Sequence, residues 1–362
     1  MKRLITSESV TEGHPDKICD KISDKILDEA LKIDKNSRMA VEATIKDKLI
    51  FIYGEANTKA NLDYSKIAKE VLKDIGYQED FEVLIKVSKQ SSEINKAVNK
   101  NKICAGDQGI MFGYATSETN EYMPLPILLA NKLTKKLAEV RKSNSNSFLK
   151  PDGKAQVTVE YDNDKIVRVD TIIIACQHTK EVDKETLEKY IIDNVIKKII
   201  PKNFIDEKTK ILINTSGSFL IGGPFSDSGT TGRKIVVDTY GGVGKVGGGC
   251  FSSKDPSKVD RSAAYYARYV AKNIVAHGYC DKCEIELSYA IGQEQPISIN
   301  IETFNTNKKS IEEIYEYVKN NFDFSVDNII KELDLLKPIY YELASYGHFG
   351  RTDLNLTWEQ IK

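Results

Sequence analysis

Residues 13–33 have the sequence GHPDKICDKISDKILDEALKI, and this stretch determines the first element of the fold. Its apolar side chains recur at four-residue spacing: Ile18, Ile22, Ile26 and Ala30. This period predicts an amphipathic helix over residues 15–33, with Pro15 at the first position, where a missing backbone N–H does no harm. The helix is expected to lie over a sheet.

Beginning with this helix, the predicted elements follow the same order three times. The first pass has strands at 39–45 and 49–53, a helix between 61 and 72, and a strand at 83–87. The second has a helix from Pro126, strands at 155–161 and 166–176, and a helix at 184–199. The third has a helix from Pro256, strands at 284–290 and 297–303, and a helix at 310–320. The interval is too long for a solenoid repeat. We therefore predict an α+β fold of three similar α/β domains in a pseudo-threefold arrangement, each a small, mostly antiparallel sheet with helices on one face.

The length of the chain also indicates several domains. Its 362 residues exceed the roughly 100 to 200 residues typical of one domain. We predict an N-terminal domain at 1–100, a central domain at 103–222 and a C-terminal domain at 223–362. The segments 90–105 and 141–153 are polar and are predicted to be surface connections.

The composition argues against several classes of function. The 52 basic and 53 acidic side chains nearly cancel, so no global field attracts nucleic acid or an anionic membrane. The first residues lack an apolar signal core, and no apolar run approaches the roughly 18 residues of a membrane span. Six scattered cysteines are typical of reduced thiols, so we expect a cytoplasmic protein. Cys280 and Cys283 are closely spaced, and ordinary thiols are favoured over a zinc site.

The start of the first helix is a candidate phosphate site. Free backbone N–H groups and the positive end of the helix dipole point toward Gly13 and His14. His14 can donate a hydrogen bond there. Asp16 either compensates the dipole or supplies an oxygen ligand for Mg²⁺ held against phosphates, and the local sequence alone favours compensation.

The segment 214–260 strengthens the phosphate interpretation. It is rich in glycine, and four of its cationic side chains are candidates for a polyanion: Arg233, Lys234, Lys254 and Lys258. Glycine lets the backbone approach a ligand closely, and the cations suit a polyanion. No P-loop pattern occurs. The apolar stretch 234–239 is predicted to be a strand, which argues against a run of flexible surface turns.

Several further candidates are ambiguous on their own. Asp107 lies in a turn-like context and is more typical of a turn than of a ligand. Glu42 and Glu55 lie within or at the ends of predicted strands, where an acid either faces solvent or is retained for a cation or an amine. The other histidines share no metal spacing and are predicted to be packing or surface residues: His178, His277 and His348.

Three long motifs together carry a family resemblance. They are TEGHPDK at 11–17, GDQGIMFGYA at 106–115 and DPSKVDRSAA at 255–264. In this order they resemble the S-adenosylmethionine synthetases, and the resemblance extends from Ser7 to Arg351. It implies transfer of the adenosyl group of ATP to the sulfur of L-methionine, followed by hydrolysis of the bound triphosphate to pyrophosphate and phosphate. It also implies two Mg²⁺ ions per active site, one K⁺ ion per subunit, and a homodimer with interface active sites that often pairs into a homotetramer.

The resemblance also assigns roles to individual residues. It implies that His14 contacts the oxygen leaving C5′ and is catalytic together with Lys154, Arg233 and Lys254. The residues implied in ATP binding are His14, Asp152, Lys154, Ser218, Phe219, Asp227, Arg233, Lys234, Cys250 and Lys254. The residues implied in methionine binding are Glu55, Gln90, Asp107, Asp227 and Lys258. The implied metal ligands are Asp16 and Asp260 for Mg²⁺ and Glu42 for K⁺.

Three positions depart from the family pattern. Ser218 stands where the family has a basic residue, Val246 removes an imidazole, and Ser253 replaces a glycine. If that glycine has a positive φ, serine costs on the order of 1 kcal/mol and can shift Lys254. We expect altered kinetics before loss of function. Two alternatives stay open: a catalytically weakened binding subunit that pairs with an active homologue, and an ATP or triphosphate hydrolase without a methyl-donor role.

Overall fold

A computed structural model describes residues 2–89, 103–144 and 147–362. Gln90 and most of the predicted connection 90–105 lie outside these residues. Within the described ranges, no helix is long and apolar enough to cross a membrane.

The first part of the chain forms a strand, a long helix and a second set of strands around another helix. Its elements are β1 (Lys2–Val10), α1 (Pro15–Ile33), β2 (Arg38–Lys46), β3 (Leu49–Asn57), α2 (Tyr64–Ile75) and β4 (Glu82–Ser88). His14 caps α1, because its Nδ1 accepts a hydrogen bond from the backbone N–H of Asp16 at 3.2 Å. The predicted isoleucine stripe is buried against β2, as the four-residue period requires.

The same order of helix, two strands and helix returns twice. The second part comprises β5 (Gly109–Thr116), α3 (Leu125–Lys142), β6 (Leu149–Asp162), β7 (Lys165–His178), α4 (Lys184–Ile191) and β8 (Lys210–Ile213). A π-helical turn, Ile192–Ile196, and a last turn, Lys197–Ile199, extend α4. The third part comprises β9 (Gly229–Thr230), α5 (Ile235–Asp238), α6 (Val259–Ala276), β10 (Lys282–Tyr289), β11 (Ser298–Glu302), α7 (Ile311–Asn321), α8 (Val326–Glu332) and α9 (Tyr340–Leu343).

The described strands form three sheets of the same design. Their orders are β4-β3-β2-β9, β8-β7-β6-β1 and β11-β10-β5. The central hairpins are antiparallel, whereas β4 and β8 run parallel to their neighbours. This architecture confirms the predicted α+β class and the mostly antiparallel sheets.

Each sheet includes one strand from another part of the chain. β1 pairs with β6 of the second part, β5 pairs with β10 of the third, and β9 pairs with β2 of the first. The exchange is cyclic, and in all three sheets the incoming strand is antiparallel to the first hairpin strand. The boundaries at 1–100, 103–222 and 223–362 stay a prediction, and hydrogen-bonded sheets cross each of them.

Helices cover one face of each sheet. α1 packs on β2, α3 on β1 and β6, and α6 on β5 and β10. The apolar side chains between them form two buried clusters, one within the second part and one that joins the first and third parts with β5 and the start of α3. The first and third parts therefore share one continuous apolar core.

The structure corrects three local expectations. The stretch 234–239 is not a strand, because it forms the short helix α5. A short apolar run has the same pattern in a strand and in a helical turn, so sequence alone does not separate them. The segment 141–153 is only partly a connection, since α3 extends to Lys142 and β6 begins at Leu149. The third long helix begins at Val259 rather than at Pro256.

Candidate active site

The N-terminus of α1 brings together residues more than 200 positions apart. Asp16 Oδ1 accepts hydrogen bonds from the backbone N–H of Thr230 at 3.0 Å and from Arg233 Nε at 2.8 Å. Its Oδ2 accepts from Lys234 Nζ at 2.6 Å. Burial alone would raise the pKa of Asp16, but the hydrogen bonds from Lys234, Thr230 and Arg233 outweigh burial and lower it. A charged carboxylate thus lies beside two cations at a helix start.

His14 is a neutral hydrogen-bond donor at this site. Burial, reinforced by the nearby charge of Lys234, lowers its pKa to about 3. Its Nδ1 accepts the N–H of Asp16, so the ring proton resides on Nε2. The imidazole therefore presents an N–H group without a positive charge of its own.

A glycine allows the cation-bearing loop to approach α1. A Cβ atom at Gly229 would lie 2.1 Å from the carbonyl oxygen of Pro15, which no side chain can accommodate. β9 begins at this glycine, and its pairing with β2 holds the chain in place. The short strand therefore delivers Arg233 and Lys234 to the helix start.

Asp152, Lys154 and Asp227 lie around the same helix start. Asp152 is buried, and its Oδ2 accepts the backbone N–H of Gly223 at 2.7 Å. Burial raises the pKa of Asp152 to about 6. Asp227 is exposed on the following turn. The pKa of His14 is lowered mainly by burial and Lys234, and to a lesser extent by Lys154. The carboxylates of Asp16 and Asp227 raise it. These charged groups therefore share one electrostatic environment.

Phe219 is held beside this group by His178. The backbone N–H of Phe219 donates to His178 Nε2 at 3.1 Å, and its carbonyl accepts the His178 N–H at 2.9 Å. The Phe219 ring packs against Gly222, where a Cβ atom would lie 2.9 Å from the ring. Ser218 is exposed next to it. His178 thus packs as predicted and also orients a predicted ATP contact.

A second cation and acid pair lies at the start of α6. Lys254 Nζ donates to Asp260 Oδ2 at 2.5 Å, and Asp260 is in the first turn of the helix. A Cβ atom at Gly249 would lie 2.2 Å from that carboxylate, so the glycine makes room for it. Cys250 follows Gly249, and burial raises the pKa of its thiol to about 11. The thiol is therefore protonated near neutral pH.

Glu42 and Glu55 lie on the face of their sheet that α1 does not cover. Glu42 is opposite Tyr53 in the register of β2 and β3, and burial followed by the charge of Glu42 raises the pKa of the Tyr53 phenol. Glu55 is opposite Ala40, which in turn pairs with Lys254. The open face of this sheet is thus continuous with the loop that carries Lys254.

The segments that carry Asp107 and Lys258 meet near the start of α6. The N–H of Gly106 donates to the carbonyl of Ser257 at 3.1 Å, which joins the two motifs. Asp107 is exposed, and its Oδ1 accepts the N–H of the next residue at 2.7 Å. Lys258 forms an ion pair with the buried Asp255. Gln90, the remaining predicted methionine contact, lies outside the described residues.

The donor set at the two helix starts fits Mg²⁺ held jointly with a ligand. Among the described residues, no three His, Cys, Asp or Glu side chains lie close enough to form a metal cage. Asp16 and Asp260 each offer a carboxylate beside lysines that suit phosphate. A magnesium ion bound by one carboxylate and completed by phosphate oxygens and water matches this arrangement.

Sequence reasoning missed three buried residues next to the site: Asp20, Asp24 and Arg261. Asp24 and Arg261 form a bidentate ion pair at 2.7 and 2.8 Å, and both side chains are fully buried. Aspartates recur at four-residue spacing along α1, beginning at Asp16. That spacing was visible in the sequence and places the carboxylates on one side of the helix.

Together, the fold and the site define a class of enzyme: a three-part α+β protein with acidic helix starts and a cluster of cations suited to a polyphosphate. Three family models match almost the whole chain: the N-terminal domain of S-adenosylmethionine synthetase at 2–101, the central domain at 102–219 and the C-terminal domain at 221–360. The chain belongs to the S-adenosylmethionine synthetase family and is an enzyme, a methionine adenosyltransferase.

Curated relatives support this membership over the full length. The chain is 51% identical to S-adenosylmethionine synthase of Clostridium botulinum (strain Alaska E43 / Type E3). It is 50% identical to S-adenosylmethionine synthase of Clostridium tetani (strain Massachusetts / E88). Both alignments cover 100% of this chain and 97% of the relative. The family predicted from the three motifs is confirmed.

Proposed function

We propose that the sulfur of L-methionine attacks C5′ of ATP in line, and that the enzyme then hydrolyses the bound triphosphate to pyrophosphate and phosphate. The observation that carries this mechanism is the neutral, buried His14 beside Arg233 and Lys234. Its Nε2–H is a donor for the oxygen that gains negative charge as the C5′–O bond breaks. Such a fixed donor stabilises the transition state more than the ground state.

The cations of the chain neutralise the leaving triphosphate. We assign this role to Lys154, Arg233, Lys234 and Lys254. The thioether nucleophile is uncharged, so orientation of the two substrates and stabilisation of the leaving group supply most of the catalysis. The further ATP contacts that we propose are Asp152, Ser218, Phe219, Asp227 and Cys250. The methionine contacts that we propose are Glu55, Gln90, Asp107, Asp227 and Lys258.

Asp16 and Asp260 are the proposed protein ligands of two Mg²⁺ ions, and Glu42 is the proposed ligand of one K⁺ ion. When bound, these cations would add to the neutralisation of the triphosphate. Each proposed magnesium ligand lies in the first turn of a helix and pairs with a lysine. Burial raises the pKa of Asp16, but Lys234, Thr230 and Arg233 together lower it, so this carboxylate is available as an oxygen ligand.

We further propose a cytoplasmic homodimer with active sites at the interface, which pairs into a homotetramer. In the part of the chain that the structure describes, helices lie on one face of each sheet only, and the other face of β2 and β3 carries the partly exposed Phe51 and Tyr53 beside Glu42 and Glu55. A partner on this face would cover apolar rings and enclose acidic site residues. The apolar rings and acidic side chains on this face support an interface that completes the site.

The product assay tests the proposal directly. The protein is incubated with ATP, L-methionine, Mg²⁺ and K⁺, and S-adenosylmethionine, pyrophosphate and phosphate are measured by mass spectrometry and ion chromatography. We expect all three products, and formation of S-adenosylmethionine should require both substrates. ATP binding without product would favour the weakened binding subunit. Triphosphate cleavage that is indifferent to methionine, with no sulfonium product, would favour the hydrolase.

A further inference from the structure

Four aspartates recur at four-residue spacing on α1: Asp16, Asp20, Asp24 and Asp28. Four residues of helix rise about 6 Å, so the carboxylates form a stripe along one side of α1. All four side chains are buried. Each accepts at least one backbone N–H from a segment more than 200 residues away. The stripe therefore organises the third part of the chain along α1.

Asp20 anchors the loop that carries Arg233 and Lys234. Its Oδ1 accepts the N–H of Gly232 at 2.8 Å, directly before Arg233. Its Oδ2 lies 3.1 Å from Lys17 Nζ, and Lys17 also pairs with Asp238 at the end of α5. The cation pair is thus held on both sides, by a hydrogen bond before it and by an ion pair after it.

Asp24 anchors the loop that carries Lys254. Ser252 Oγ donates to Asp24 Oδ2 at 2.9 Å, and the N–H of Ser253 donates to Oδ1 at 3.2 Å. Arg261, which pairs with Asp24, donates from Nη1 to the carbonyl of Lys254 at 3.1 Å. Three consecutive residues of the loop are therefore tied to a single buried ion pair.

We propose that Asp20 and Asp24 are positioning residues, which hold the two cation-bearing loops in register on α1 so that Arg233, Lys234 and Lys254 meet the triphosphate together. This inference rests on the proposed role of those cations. Each loop is fixed by hydrogen bonds to a buried aspartate side chain, and a shift of about 1 Å in a catalytic group can cost on the order of 100-fold in rate. If Asp20 and Asp24 act in this way, their loss should lower kcat as well as the stability of the fold.

Asp28 provides a matched control on the same helix. Its two oxygens accept the N–H groups of Tyr340 and Tyr341 at 3.0 and 2.8 Å, so it caps α9. α9 carries none of the proposed substrate contacts. Loss of Asp28 should weaken the fold and leave the geometry of the cations unchanged.

The test compares Asp20→Ala, Asp24→Ala and Ser252→Ala with Asp28→Ala, at a temperature where circular dichroism shows each variant folded. Asp20→Ala and Asp24→Ala should lower kcat by about 10- to 100-fold. Ser252→Ala, which removes one loop bond and leaves the ion pair intact, should lower kcat severalfold. Asp28→Ala should lower the melting temperature and keep kcat within about twofold of the wild type. KM for methionine should hardly change in any of them.

Isothermal calorimetry with inorganic tripolyphosphate and Mg²⁺ separates the two roles. A residue that only stabilises the fold should not change the affinity for tripolyphosphate. The Asp20 and Asp24 variants should bind it more weakly than the Asp28 variant. Wild-type kcat in all loop variants, or an equal loss in Asp28→Ala, would overturn the proposal. If Asp24→Ala does not fold, Ser252→Ala decides. An inactive wild type, or a fully active Lys254→Ala variant, would instead refute the proposed function.

Discussion

Ser253 combines two unfavourable features at one position. Its φ is 82°, in the region that glycine adopts without strain. Its side chain is buried, and Oγ is among the buried side-chain atoms without a hydrogen-bond partner in the described residues. Ser253 therefore has the positive φ at which a serine in place of glycine is expected to destabilise the fold. The strained residue directly precedes Lys254.

Replacing Ser253 with glycine should stabilise the protein. The change removes a serine from a left-handed backbone conformation and also removes its buried, unpaired hydroxyl. Together these two gains exceed the cost of the conformational entropy that glycine adds to the unfolded chain. We expect the free energy of unfolding in urea to rise by about 1 kcal/mol. Because Lys254 is adjacent, kcat should also change.

Ser257→Gly is the matched control for this prediction. Ser257 is also a buried serine close to Lys254, but it is not among the residues with positive φ. Glycine there adds unfolded-state entropy without relieving strain, so this variant should gain less stability or lose some. A stability of Ser253→Gly no higher than that of Ser257→Gly would refute the strain argument.

His14 should affect adenosyl transfer and acid stability separately. His14→Ala should impair formation of S-adenosylmethionine more than hydrolysis of added tripolyphosphate, because we propose that the donor acts at the C5′–O bond. Single-turnover assays of the two reactions measure this difference. Equal loss in both would mean that His14 serves phosphate binding in general.

The pKa of His14 also predicts a pH dependence of stability. The unfolded chain binds a proton below about pH 6.5, whereas folded His14 does so only near pH 3, so acid favours unfolding between these values. When the pH falls from 7 to 5, the free energy of unfolding of the wild type should therefore drop by up to about 2 kcal/mol more than that of His14→Asn. Urea unfolding at pH 7 and pH 5 measures this difference. The control is His277→Asn, because His277 is exposed.

At the scale of elements, α1 and α6 present the same arrangement at their starts. Each has an aspartate in the first turn, and each aspartate pairs with a lysine from a glycine-rich loop. A helix start attracts anions through its free N–H groups and dipole, while the carboxylate suits a cation bound to the same anion. The two helix starts are thus complementary to a magnesium polyphosphate.

Asp16→Asn and Asp260→Asn should each raise the Mg²⁺ concentration needed for half-maximal activity and lower kcat sharply. Each change replaces a carboxylate that we propose as a metal ligand by an amide of nearly the same size. Activity titrations with Mg²⁺ at saturating ATP and methionine measure the effect. Asp255→Asn is an informative control, because Asp255 is buried and paired with Lys258 but holds no proposed metal. An unchanged Mg²⁺ titration would contradict the assignment of Asp16 and Asp260.

At the scale of the whole molecule, the cyclic exchange of β1, β5 and β9 makes the three parts interdependent. β1 pairs with β6 along nine residues, and Val10 is fully buried. An unpaired β6 would leave a long open edge and an uncovered core. The parts should therefore fold as one cooperative unit.

Two fragments test this interdependence. A fragment of residues 117–222 contains α3 through β8 but lacks β1, so it should aggregate or unfold without cooperativity. The same fragment with residues 2–10 joined by a flexible linker should regain a cooperative thermal transition, followed by circular dichroism. Cooperative folding of the shorter fragment would show that the exchanged strand is dispensable.

Local patterns predicted most of the regular elements. The isoleucine period of α1 and the alternating strands of the hairpins are local signals, and the structure confirms them. The sequence patterns do not predict β1 or β5, and the strand that they predict at 234–239 is wrong, because this stretch forms the helix α5. These segments depend on partners far away in the chain, and their own sequences are ambiguous between strand, turn and helix.

The sequence by itself determined the family, the order of the elements and the chemical types at the helix start at His14 and Asp16. It did so because periodicity, capping and long motifs are local properties. Only the tertiary structure decided which strand completes which sheet, how Asp20 and Asp24 hold the cation-bearing loops, and that Ser253 is strained. These features require contacts between residues more than 100 positions apart, and φ at a single residue is set by the loop that surrounds it.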